Sequence, residues 1–222
     1  MRTAIKFVTV YAGAPFVALV VGTATAWADT SSSSTATSSA QQSTNGGLAI
    51  SAGGHTLMQF GNSTAESSGQ SLAVAWGNST AESSGRSTAV AFGDSSADAD
   101  GHGFALAAFG STAGTSYKPN ATGVAVAAFG STANAGDDNN AVYAIGNSDA
   151  RVIKGTYNVV YAFNNGTASV ENGNNNIVLS GNGSNARATD NASHNIAVAL
   201  CGGGSVVSAQ ASKIVTDCLG GS

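Results

Sequence analysis

The sequence predicts an all-β chain whose main domain is a β-solenoid, a β-roll of eight or nine short coils with a period of about 16 residues. Three observations carry this. The first is a repeat: Gly61–Trp76 reads GNSTAESSGQSLAVAW and Gly77–Phe92 reads GNSTAESSGRSTAVAF, with the first nine residues identical. Self-similarity at such a period marks a stacked repeat architecture. The second is punctuation, since each copy runs from a short apolar stretch through Gly or Asn to a small polar stretch ending in Ala. Glycines at that spacing suit turns that need positive φ. The third is composition. Of 222 residues, 29 are Gly and 2 are Pro, and charged residues make up 9%. Sixteen residues are too few for two helices, and the apolar positions do not recur at helical spacing.

The elements follow in chain order. Residues 1–28 read as a secretion signal peptide. Arg2 and Lys6 precede an apolar stretch from Phe7 to Val21, and Ala26-Trp27-Ala28 offers cleavage after Ala28. No later apolar run approaches the roughly 20 residues a membrane helix needs, so no transmembrane anchor is expected in the mature chain. The expected location is secreted, extracellular or at the cell surface. Residues 29–47 form a Ser/Thr-rich tract with almost no apolar material, read as a disordered linker. Residues 48–200 are the repeat domain, with insertions in four of the eight copies, which solenoid loops tolerate. Residues 201–222 are read as a cap closed by a Cys201–Cys218 disulfide, because an even cysteine pair in an exported chain usually bonds. Val206, Val207, Ile214 and Val215 would then cover the last coil.

Stacking the copies on the residue before the turn gives a ladder of large side chains: Phe60, Trp76, Phe92, Phe109, Phe129, Ile145, Phe163, Leu179 and Leu200. Two residues earlier stand Val74, Val90, Ala107, Ala127, Tyr143, Tyr161, Ile177 and Val198. The opposite face is small: Ala75, Ala91, Ala108, Ala128, Ala144, Ala162, Val178 and Ala199, beside Ala73, Ala89, Leu106, Val126, Val142, Val160, Asn176 and Ala197. A lone solenoid strand should alternate apolar and polar, yet both faces here are apolar. The small face suits a narrow interior. The large column then needs another cover, and a homo-oligomer is the economical one. The competing arrangement puts the large column inside a wide coil and turns the alanines to solvent.

The stretches Ser71–Ala81, Ser87–Ala97 and Ala125–Ala133 resemble the head-domain repeats of trimeric autotransporter adhesins, whose pattern is close to S-V-A-I-G-x-x-A-x-A-x-G. The resemblance implies a left-handed β-roll that trimerises through a hydrophobic face, with surface exposure and adhesion to a matrix or cell-surface partner. The chain lacks that family's heptad stalk and its C-terminal membrane strands, and its period is longer.

Chemistry is sparse. His55, His102 and His194 lie far apart, so a hydrolytic triad has no focus, and no enzyme activity or cofactor is expected. Lys and Arg total 8 against 12 Asp and Glu, which argues against nucleic acid as a partner. Asp94, Asp98 and Asp100 before Gly101 form an acidic loop. It is a calcium candidate, with a solvated loop as the preferred reading. Thr64, Thr80, Thr112, Thr132 and Thr167, with Ser96 in one gap, form a hydroxyl column. The leading expectation is therefore an adhesin-like, self-associating interaction protein. The alternative is a monomeric solenoid that binds carbohydrate or ice through a flat Ser/Thr face.

Overall fold

A computed structural model describes residues 47–115, 118, 121–189, 193–200 and 202, and the strands at 205–208 and 214–217. Signal cleavage at Ala28, the 29–46 part of the linker, and both Cys201 and Cys218 lie outside the described residues.

The described chain is all-β, a solenoid of about seven turns with stacked parallel strands and a period of about 18 residues. Each turn contributes one strand to each of two sheets. Sheet A holds β1 (Leu48–Ala52), β2 (His55–Phe60), β4 (Leu72–Trp76), β6 (Thr88–Phe92), β8 (Phe104–Ala108), β10 (Gly123–Ala128), β12 (Asn140–Ile145), β14 (Val159–Phe163), β16 (Ile177–Gly181), β18 (Ile196–Ala199) and β20 (Ile214–Asp217). Sheet B holds β3 (Thr64–Ser67), β5 (Thr80–Ser83), β7 (Ser96–Ala99), β9 (Thr112–Thr115), β11 (Thr132–Ala135), β13 (Asp149–Val152), β15 (Thr167–Val170), β17 (Asn185–Ala188) and β19 (Ser205–Ser208). Strand order is β2-β1-β4-β6 and on by even numbers to β20 in sheet A, and β3 through β19 by odd numbers in sheet B.

The expected β-solenoid is present, with two differences in detail. The copy ending at Phe60 is no parallel coil: β1 pairs antiparallel with both β2 and β4, a fold-back at the end of the sheet. The later turns are also longer than sixteen residues. Trp76 pairs with Phe92, sixteen residues on, but Ile145 pairs with Phe163, eighteen on. Within the segment expected as a cap, β19 pairs with β17 and β20 with β18.

The interior changes along the stack. In the early turns the buried positions are Ala73, Ala75, Ala89, Ala91, Ala105 and Ala107; later they include Val142, Val160 and Val178, with Val152 and Val170 from sheet B. The corner before each sheet-A strand also changes. Ser71 and Ser87 stand there early, and Asn140, Asn158, Asn176 and Asn195 later, all buried. These asparagines form a ladder. Each Oδ1 of the first three accepts the backbone N–H and the amide of the next: Asn158 on Asn140 at 2.9 and 3.1 Å, Asn176 on Asn158 at 3.0 and 3.0 Å, Asn195 on Asn176 at 3.0 and 3.1 Å. The other corner carries a serine ladder. The N–H of Ser95, Ser111, Ser131 and Ser148 donates to the hydroxyl of the serine one turn earlier at 3.1–3.2 Å. Most buried corner groups thus find partners along the stack, although among the described residues the hydroxyls of Ser63 and Ser184 have none.

Candidate interaction surfaces

The pleat sends alternate residues of sheet A inward and outward. The small residues go in and the large ones go out, which rules out the wide-coil arrangement. Leu72, Val74 and Trp76 of β4 face outward around buried Ala73 and Ala75. Val159, Tyr161 and Phe163 of β14 face outward around buried Val160 and Ala162. From β4 to β18 the outward positions carry no charged residue, and Thr88 is their one non-aromatic polar side chain. Leu48 and Ile50 of β1 extend the face, and Phe60 and Met58 of β2 pair beside them. Nine strands spaced about 4.8 Å and five residues wide give roughly 600 Å². Monomers rarely leave a patch much larger than this uncovered.

The register corrects the ladder. One column runs Phe60, Leu48, Trp76, Phe92, Ala108, Ala128, Ile145, Phe163 and Gly181. Leu179 belongs to the next column, paired with Tyr161 and Val198, and Leu200 follows the end of β18. Leu106 and Val126 point outward, whereas Ala105, Ala107, Ala125 and Ala127 are buried. Ile177 also points outward, and Val178 shares the buried column of Val142 and Val160. Asn176 lies in the corner ladder instead of on a strand face.

Phe109 and Phe129 stand not in the strand column but in the turn. Their N–H groups donate to the carbonyls of Phe92 and Ala108, the bonds that Gly93 makes to Trp76 and Gly146 to Ala128. The reason is a missing residue: Phe-Gly-Ser at 109–111 and 129–131 replaces the Phe-Gly-Asp-Ser of 92–95. The serine ladder keeps its register, so phenylalanine is pushed into the glycine position at φ 55° and 59°. A left-handed conformation costs an ordinary residue roughly 1–2 kcal/mol. Both rings are about half exposed. They stack on each other at 5.0 Å, and Phe109 meets Phe92 edge-on at 5.7 Å. Tyr143 and Tyr161 stack at 4.8 Å on the same sheet.

The outer face of sheet B is polar. Thr64, Thr80, Ser96, Thr112 and Thr132 pair in register as expected, and the column continues through Asp149, Thr167 and Asn185. Beside it runs a second outward column: Glu66, Glu82, Asp98, Gly114, Asn134, Arg151, Ser169 and Arg187. A shallow groove at its acidic end is lined by Glu66, Glu82, Asp98 and Asp100 with Ser67, Ser68, Ser83 and Ser84. The three calcium candidates do not converge: Asp98 and Asp100 line this groove, and Asp94 does not. Asp94 sits in one corner, accepting from Asn78 at 2.9 Å, Asp98 points out from β7, and Asp100 accepts from Ser84 at the other corner. Among the described residues no three His, Cys, Asp or Glu side chains are placed to hold a metal ion.

Lys118 pairs with Asp137, and Arg187 with Glu171, both outside the interior. Burial works to raise the Asp137 carboxyl. The Lys118 hydrogen bond, the Gly155 N–H and the charges of Lys118 and Lys154 outweigh it and hold the group below its ordinary 3.8. His55 is exposed on β2, and His102 and His194 are exposed in turns. No helix among the described residues is long and apolar enough to cross a membrane. No protein-family model, curated protein or solved structure matches the chain at a significant level.

Proposed function

We propose that the protein is a non-catalytic, exported interaction module that self-associates through the outer face of sheet A. The uncharged, outward-facing array of large side chains carries this reading, since nothing within the described roll covers it. Its size of roughly 600 Å² is close to the ~800 Å² per partner of a standard stable interface. The phenylalanines held at positive φ support it too, because backbone strain that persists on an exposed surface usually serves a site. The likeness of Ser71–Ala81 and Ser87–Ala97 to adhesin head repeats favours three copies around that face and a matrix or cell-surface partner. The N-terminal signal pattern before Ala28 and the even pair of cysteines, Cys201 and Cys218, fit an extracellular site of action.

Trp76 is 55% exposed on this face and adds nothing to the interior. Trp76→Asp should therefore dissociate the oligomer while leaving the melting of the roll nearly unchanged. Light scattering and thermal circular dichroism read the two effects. A variant that keeps the wild-type mass removes sheet A from the interface. The in-register threonine column favours a second reading, in which a monomer binds carbohydrate or ice through sheet B. The acidic and basic side chains of the adjacent column weigh against ice.

A further inference from the structure

The outer charges of sheet B are ordered along the stack. Counted from β3, the first three turns present Glu66, Glu82 and Asp98, the sixth Arg151 and the eighth Arg187. Within one molecule the acidic part is self-repelling, because like charges side by side on a ladder destabilise it. The order has a specific symmetry. Let a second copy face this sheet about a two-fold axis parallel to the strands. The column then meets itself in reverse, the first strand against the eighth of the nine, with β19 beyond the overlap at each end. Glu66 comes opposite Arg187 of the second copy, Asp98 opposite Arg151, and Gly114 opposite Asn134. No like charges meet, since Glu82 falls opposite Ser169. The hydroxyl column matches under the same operation: Thr80 faces Thr167 and Ser96 faces Asp149. Laying the column on itself in the same direction would instead set acid on acid and arginine on arginine at five turns.

We infer that sheet B is a second self-docking surface, on which two copies pair antiparallel through this charge column. The occupant is another copy because the chain itself supplies the complementary charges at the matching spacing of about 4.8 Å per turn. The face is about 34 Å by 13 Å, roughly 450 Å² per copy, which places the contact among weak, salt-sensitive associations. Arg187 already pairs with Glu171 of its own chain, and its five donors allow it to be shared. The inference stands on the sheet opposite the apolar face and does not depend on that face being an interface. If both hold, copies assemble into open-ended layers.

The test is sedimentation velocity of the full chain at about 50 and 500 mM NaCl, with reversed-charge variants. The wild type should lose at least about tenfold in association constant at the higher salt, where exposed pairs are screened. E66R/D98R and R151E/R187E should each associate more weakly than wild type, and an equimolar mixture of the two should regain the affinity. Should R187E disturb folding by breaking the Glu171 pair, D98R and R151D repeat the test with one charge pair. Association of apolar faces strengthens or holds as salt rises, so its loss or persistence is read separately. The absence of any association step that weakens with salt, reversed variants that pair as the wild type does, or a mixture no tighter than its components would each overturn the inference.

Discussion

Asn158 is the most exacting test of how the roll is held together. It is fully buried at the corner before β14. Its amide donates to Asn140 Oδ1 at 3.1 Å and to the Gly173 carbonyl at 2.8 Å, and its Oδ1 accepts from the N–H and amide of Asn176 at 3.0 Å each. Asn158→Ala leaves Asn140 Oδ1 the Asn158 N–H at 2.9 Å. It takes the Gly173 carbonyl's donor and two bonds from Asn176. Each buried group stripped this way costs about 1–3 kcal/mol, so relaxation included, the variant should lose about 3 kcal/mol. For a roll of this size that is a fall in Tm of about 6–12 °C. Turns lie on both sides of Asn158, so the defect disrupts two interfaces of the stack. Differential scanning calorimetry of the full chain measures the loss, with Asn134→Ala, exposed on sheet B, expected within about 0.5 kcal/mol of wild type. If Asn158→Ala melts within 1 kcal/mol of wild type, the asparagine ladder does not hold the corner.

The strained phenylalanines should separate stability from association. Phe109→Asn relieves about 1 kcal/mol of backbone strain and forfeits about 0.5–1.5 kcal/mol of ring contact. Melting should therefore change by less than about 1 kcal/mol while association weakens, as calorimetry and light scattering read it; a large fall in Tm would make the ring part of the core. Asp137 predicts a response to acid. Its folded value is lowered, so the ionised group stabilises the fold above the ordinary carboxylate range, and the gain is lost as pH falls through the folded value. Asp137→Asn should flatten the dependence of Tm on pH below about 4, and parallel curves for the two proteins would refute the pairing.

The architecture was legible because the repeat is nearly exact at Gly61–Phe92, and because small and large residues alternate along the early parallel strands of sheet A, such as β4 and β6. What misled was the choice of anchor. Aligning the copies on their aromatic residues placed Phe109 and Phe129 in the strand column and shifted Leu106, Val126, Ala108 and Ala128 to the wrong face. The serine at 79, 95, 111, 131 and 148 was the better anchor, since its side chain is fixed by a ladder hydrogen bond while the residue before the turn is free to vary. The asparagine corner was visible as Asn before each apolar run at 140, 158, 176 and 195. It reads as turn chemistry until the stack shows that these side chains bond to one another. The palindromic charge column needed the register itself, because its members lie in turns of unequal length. Separated by 16 to 20 residues, they form no visible motif.

The most direct test of the central claim is the solution mass of the full chain by light scattering behind size exclusion, taken at high salt so that sheet B contributes least. The account predicts a multiple of the chain mass, three copies on the adhesin-head resemblance, that persists at high salt and falls to one copy in Trp76→Asp. A wild type that is monomeric under these conditions would contradict it, leaving the aromatic face of sheet A bare and self-association through that face without support.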